Sequence, residues 1–203
     1  MDKRDFLFRF VPPDIRAQLR FDEEAFFSTT DQLTADRISK SILTFIPRTS
    51  LVVDATACIG GNTYSFAQNF ARVRAYEVDP RRAEMLAHNM RVLGVAHNTQ
   101  VMCGDAVKLC RREGVSDLVF IDPPWGGPEY KNQAEIDLYM ADNVPLARFC
   151  QQIVPYTSYI SIKVPKNFAR DRFVREMEGY MDLLQENTNL RKMNLLTFVC
   201  HVQ

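Results

Sequence analysis

Leu51-Val52-Val53-Asp54-Ala55-Thr56-Ala57-Cys58-Ile59-Gly60-Gly61-Asn62-Thr63 decides the fold. A short apolar run ends in a carboxylate, small residues and a glycine pair follow, and an amphipathic stretch from Asn62 to Phe70 begins at once. Strand, tight loop and helix N-terminus in that order open a doubly wound parallel sheet. The same alternation continues downstream. Val73 to Val78 reads as a second strand, and Pro80 to about Leu93 as a helix with Pro in its first turn and Gly94 at its end. Gln100 to Met102, Ser116 to Ile121 and Tyr159 to Val164 read as three more strands, and Asp182 to Glu186 with Leu195 to Val202 as a closing pair. The expectation is a mostly parallel, seven-stranded α/β sheet over residues 46–203. Residues 1–45 differ, with Phe6, Phe8, Phe10, Phe21, Phe26 and Phe27 set among charges. They are expected to form a short helical extension over the open edge of the sheet and over the active site, either as a packing lid or in contact with substrate.

Composition narrows the classes of function. The 203 residues are 46% hydrophobic and 25% charged, which is ordinary for a globular chain, and the net charge is zero. No global field draws such a chain to nucleic acid, so anion binding has to come from local clusters. Capture of one small anionic end fits better than tracking along a duplex. The five cysteines, Cys58, Cys103, Cys110, Cys150 and Cys200, form no C-x-x-C pair and mostly lie in apolar runs. They read as reduced core thiols of an intracellular protein, cytoplasmic or nuclear, with no metal expected. Met1 to Asp5 carries mixed charge and no long apolar run follows, so neither a signal peptide nor a membrane span is expected.

The Gly60-Gly61 loop stands at a helix N-terminus, where backbone N–H groups favour an anion. It lacks the G-x-G-x-x-G spacing of dinucleotide sites, so a cofactor bearing only a carboxylate fits better than a pyrophosphate. Glu77 closes the second strand, where an acidic side chain can accept both ribose hydroxyls. Asp79, just before Pro80, suits helix entry. Asp105 after the third strand is placed to accept from an adenine amino group, with a helix N-cap as its other reading. Together these residues point to S-adenosylmethionine rather than NAD, and so to a methyltransferase.

Asp122-Pro123-Pro124-Trp125-Gly126-Gly127-Pro128 ends the fourth strand and holds the only Trp of the chain. Each Pro fixes its own φ and extends the residue before it, so the Asp122 carboxylate and nearby carbonyls become fixed acceptors at a strand end. Such a turn can hold a flat base by its amino group. Asp122, Pro123 and Trp125 are therefore the expected catalytic residues.

With these residues laid out, the chain resembles the trimethylguanosine synthase family, the RNA cap guanine-N2 methyltransferases. The similarity runs from about Phe8 to the carboxyl terminus, through Phe26 to Thr30, Val53 to Ala55, Gly60 to Thr63, Glu77 to Pro80, Cys103 to Asp105 and Pro123 to Tyr130. The resemblance implies a Rossmann-like, class I S-adenosylmethionine-dependent methyltransferase with an N-terminal helical extension. It implies methyl transfer to the exocyclic N2 of a 7-methylguanosine cap, with capped RNA as the partner and a monomer as the working form. By position, Trp125 would stack on the methylated guanine and Asn89 would lie near the base edge. Tyr130 and Lys166 would face the cap phosphates, and Ser28 and Thr30 would help close the cofactor pocket. Asp54, Gly60, Asn62, Thr63, Glu77 and Asp105 would hold the cofactor. Members of the family often have Ser at the position of Asp122 and Arg at that of Lys166.

A guanine methylated at N7 is a cation, and a cation over Trp gains roughly 0.5 to 2 kcal/mol. A neutral adenine gains stacking alone. Lys163, Lys166, Arg170 and Arg172 cluster around the fifth strand, where a triphosphate would lie with its base on Trp125. Two other functions remain open. Asp122-Pro123-Pro124-Trp125 is also the signature of adenine-N6 methyltransferases on DNA or RNA, and an inactive cap-binding module would share the stacking residue.

Overall fold

The computed structural model describes residues 3–201. Two compact units divide the chain after Leu109, so the N-terminal extension and the first half of the sheet share one unit, and no boundary falls at 45/46. The first unit begins with four helices, α1 (Lys3–Leu7), α2 (Pro13–Arg16), α3 (Ala25–Ser28) and α4 (Gln32–Ile42). Then come β1 (Leu51–Asp54), α5 (Gly61–Asn69), β2 (Arg72–Glu77), α6 (Pro80–Val92) and β3 (Thr99–Cys103). Helix α7 (Ala106–Glu113) starts in this unit and ends in the next. The second unit continues with β4 (Ser116–Ile121), α8 (Leu146–Ile153), β5 (Thr157–Pro165), α9 (Arg170–Glu176), β6 (Met181–Asn187) and β7 (Met193–Cys200).

The strands form a seven-stranded sheet in the order β3-β2-β1-β4-β5-β7-β6. β2 pairs in parallel with β1 and β3, β4 pairs in parallel with β5, and β7 runs antiparallel to both β5 and β6. The expected mostly parallel α/β architecture is the one found. Burial follows the topology: all four residues of β1 are buried, as is every residue of β4 but Asp117. Strands of a parallel sheet covered on both faces read as apolar runs for this reason. β6 instead alternates buried or half-buried with exposed residues, as an edge strand does. Val202, which the sequence reading included in the last strand, lies outside the described residues.

Local signals explain the helix boundaries. The Asp79 carboxylate accepts from Arg81 N and Arg82 N, Pro80 occupies the first turn, and Gly94 at φ +74° ends α6. Asp79 therefore caps a helix. Helix α8 went unforeseen, although Leu146, Ala147, Phe149, Cys150 and Ile153 have helical spacing and are its buried face.

The N-terminal extension does not pack as expected over the sheet's open edge. Leu7, Phe8, Val11, Leu19 and Ala25 enclose Ile59 of the glycine loop, together with Tyr64 of α5 and Met85, Val92 and Leu93 at α6. Phe21 stacks on Phe26 at 4.9 Å and meets Phe8 edge-on. Arg82 of α6 fastens the segment by pairing with Asp22 and Glu24. The other three phenylalanines, Phe6, Phe10 and Phe27, are exposed.

Candidate active site

The glycine loop after β1 is built by carboxylates that bind backbone and side chains of the loop itself. Asp54 has no exposed surface; its Oδ2 accepts from Thr63 Oγ1 at 2.7 Å and its Oδ1 from Thr56 N at 3.3 Å. It shapes the loop from beneath. Glu77 accepts from Cys58 N through Oε2 and from Asp79 N through Oε1, both at 2.9 Å, which ties the ends of β1 and β2 together. Cys58 takes a left-handed φ of +50°, and that conformation lets its N–H meet Glu77. Burial pushes the Cys58 thiol up, against a hydrogen bond with Ser28 that lowers it.

The glycine pair makes room for neighbouring parts of the chain. A Cβ on Gly61 would lie 2.6 Å from Thr30 O and 2.7 Å from Thr29 Cγ2, and one on Gly60 would lie 2.3 Å from Met90 Cε. The space beside the loop is filled by the chain itself. Thr30 Oγ1 accepts from Asn62 Nδ2 at 3.0 Å, and Ser28 Oγ lies 3.5 Å from Cys58 Sγ. Ser28 and Thr30 are thus brought onto the glycine loop.

Two buried polar atoms here have no hydrogen-bond partner among the described residues, Asn62 Oδ1 and Thr29 Oγ1. Unsatisfied buried groups are costly, and a ligand that supplies a donor at the N-terminus of α5 relieves the cost. The α-ammonium of S-adenosylmethionine is such a donor, and its carboxylate suits the helix end. The residues fit that cofactor. Asp105 Oδ1 accepts from Lys108 N at 2.9 Å, so its N-cap role is realised on α7.

Asn89 is misplaced by the family comparison. It has no exposed surface, its Oδ1 accepts from Arg20 N at 2.8 Å, and its Nδ2 donates to Arg20 O and Ile59 O. No group remains to meet a base edge. It fastens α6 to the extension and to the glycine loop.

In the second unit, β4 delivers Asp122, with Pro123 buried and Pro124 exposed. Gly126 and Gly127 have φ of +80° and +77° with open space where a Cβ would be, so the turn needs them for conformation alone. Trp125 is half-buried, and Tyr130 braces it edge-on at 5.3 Å and 79°. Its indole N–H is buried without a partner among the described residues. Asp122 forms an ion pair with Lys163 of β5, and Lys163 Nζ lies 5.5 Å from the Trp125 ring centroid. The sequence places this buried lysine in the cluster expected to meet the triphosphate.

The expected phosphate-binding cluster is largely neutralised. Arg170 pairs with Asp171 and Glu186, and Arg172 with Glu135 and Asp137. Lys166 is exposed but donates to Thr188 O at 2.7 Å and Asn194 Oδ1 at 2.6 Å. Three of the four cations are thus paired with carboxylates, and Lys166 is held by neutral oxygens.

The chain resembles known proteins in ways that agree with this site. The family model of the RNA cap guanine-N2 methyltransferases matches residues 49–193. Trimethylguanosine synthase of Schizosaccharomyces pombe is 28% identical over 172 residues, covering 79% of this chain and 70% of that protein. That of Saccharomyces cerevisiae is 29% identical over 126 residues, covering 60% of this chain and 40% of that protein. An uncharacterized protein of Acanthamoeba polyphaga mimivirus is 27% identical, and the chain spans about half its length (52%). Among solved structures, a Pyrococcus horikoshii protein aligns with TM-score 0.62 at 15% identity, covering 86% of this chain and 87% of that one. A rRNA methylase of Streptococcus thermophilus aligns at 0.54 and 15%, covering 82% and 95%. These two show the fold alone; S-adenosylmethionine as methyl donor follows from the family model. Matched by that family model over residues 49–193, the chain belongs to the RNA cap guanine-N2 methyltransferase family.

Proposed function

We propose that the chain transfers a methyl group from S-adenosylmethionine to the exocyclic N2 of a 7-methylguanosine RNA cap. Trp125 carries the proposal: a half-buried indole, braced by Tyr130, stands on a turn that begins with an acceptor carboxylate. A cationic base over that ring gains roughly 0.5 to 2 kcal/mol beyond what a neutral base gains by stacking. Membership of the family and the two yeast relatives named trimethylguanosine synthase support the same substrate.

The bound donor supplies an electrophilic methyl group. Asn62, Thr29 and Glu77 are the residues proposed to hold it, with Asp54 and Thr63 keeping their loop in shape. Asp122 accepts one N–H of the guanine amine and so aims the nitrogen lone pair. Alignment of this kind is worth on the order of 7 to 11 kcal/mol of barrier. Lys163 already balances the charge of Asp122, so the carboxylate orients the amine and the released proton passes to water. Incubation with labelled cofactor and a capped dinucleotide, followed by mass spectrometry, tests the proposal. Label on guanine N2 is expected. Label on adenine N6 of an uncapped oligonucleotide would replace it with the reading that Asp122-Pro123-Pro124-Trp125 shares with adenine methyltransferases.

A further inference from the structure

The charge of Lys163 is the least expected feature of the second unit. β5 buries its neighbours Ile162 and Val164 completely or nearly so, and Lys163 itself is only 5% exposed. Its ammonium pairs with Asp122, whose side chain is also largely buried, and lies 5.5 Å from the Trp125 ring centroid. Stability alone does not account for such a pair, since apolar residues of similar volume serve as well or better in a buried position. Its location does suggest a purpose. One partner is the carboxylate that would orient the amine, and the other stands beside the ring that would stack on the base.

We propose that Lys163 is a positioning and selectivity residue, acting with Asp122 as one neutral unit beside Trp125. The ammonium fixes the direction of the carboxylate, and the carboxylate cancels the ammonium's field at the indole. A base that carries positive charge can then stack on Trp125 without meeting an uncompensated cation. The inference rests on the reading of Trp125 as the cap-stacking residue. It adds that the preference for a charged base depends on the balance between two residues, one on β4's turn and one on β5.

Removing one partner has opposite consequences from removing the other. Asp122→Asn keeps an acceptor oxygen but removes the carboxylate charge that pairs with Lys163. Two like charges several ångströms apart at intermediate polarity repel enough to change affinity on the order of 30-fold. The cationic base suffers this and the neutral base does not. Lys163→Met removes the ammonium that pairs with Asp122, so the charge beside Trp125 shifts negative, which draws the cationic base while the carboxylate is no longer held in direction by Lys163. Asp122→Asn with Lys163→Met removes both charges and restores neutrality.

Trp125 is the only Trp of the chain, so its fluorescence reports stacking directly. Quenching by 7-methylguanosine triphosphate and by guanosine triphosphate gives an affinity ratio for each protein, and calorimetric binding of S-adenosylmethionine checks that each variant is folded. The expected ratio falls on the order of 30-fold in Asp122→Asn, rises in Lys163→Met while turnover drops, and in the double variant returns to within about threefold of the unaltered protein. An unchanged ratio in Asp122→Asn, or a double variant that does not recover, overturns the proposal. If Asp122→Asn fails to fold, the double variant decides: a folded protein with the original ratio supports the neutral unit, and an unfolded one or an altered ratio refutes it. Absence of quenching in the unaltered protein would instead remove the cap reading itself.

Discussion

Trp125 reads from the sequence as a stacking platform. Half-burial and an edge-on contact with Tyr130 fit a platform held from one side. Trp125→Ala should lower cap affinity at least about tenfold and Trp125→Phe should keep part of it, since the smaller ring retains a weaker cation–π attraction. Equilibrium binding of a cap analogue checks this, and unchanged affinity in Trp125→Ala would rule out stacking. Gly61 makes a second residue-level test. Its missing Cβ leaves room for the backbone of Thr30, so Gly61→Ala should push the extension off the glycine loop. A lower melting temperature together with weaker S-adenosylmethionine binding is expected; a variant with unchanged values would show that the contact yields without cost. Asp122, Trp125, Glu77 and Asn62 stand out in the sequence as candidates because their types and positions follow strand ends. The partner of Asp122 was not, because Lys163 lies 41 positions away on another strand and only the β4–β5 pairing brings them together.

Among the elements, α6 does more than cover the sheet. Through Asn89 it grips Arg20 of the extension and Ile59 of the loop, three hydrogen bonds from one buried amide. Asn89→Ala should cost about 2 to 4 kcal/mol, because buried backbone groups lose their partners. Urea denaturation measures that loss. A small loss of stability with a large loss of cap binding would return Asn89 to the base edge. The resemblance implies a place near the base edge for Asn89, and the sequence holds no sign that the extension docks there. The extension's phenylalanines were visible as a cluster, but their target depends on which faces of α5 and α6 remain uncovered. The β6–β7 hairpin offers a titration. Its end carries His201, whose imidazole is raised above 6.5 by a hydrogen bond to Asp182, and the pair is exposed. A raised folded value means the contribution is fully present below pH 6.5 and fades as pH climbs through the folded value. NMR titration should place His201 above 6.5 and Asp182→Asn should bring it down; an unmoved midpoint would show that the contact is absent in solution.

For the whole molecule, charge and fold agree on a small target. The net charge is zero, and Arg170, Arg172 and Lys163 are each paired with carboxylates. On the proposed function, recognition then rests more on the charged base than on phosphate contacts from these three side chains. The fold itself was legible almost strand by strand, since buried parallel strands read as apolar runs bounded by turn residues. The division into units was not, because it depends on where the extension packs. Among the described residues no helix is long and apolar enough to cross a membrane. The central claim is methyl transfer to a cap already methylated at N7, and the most direct test compares initial rates on two dinucleotides capped by 7-methylguanosine or by guanosine. Transfer to N2 of the 7-methylguanosine cap at least about tenfold faster than to the guanosine cap is predicted from the cation over Trp125. Equal rates on the two caps would contradict it.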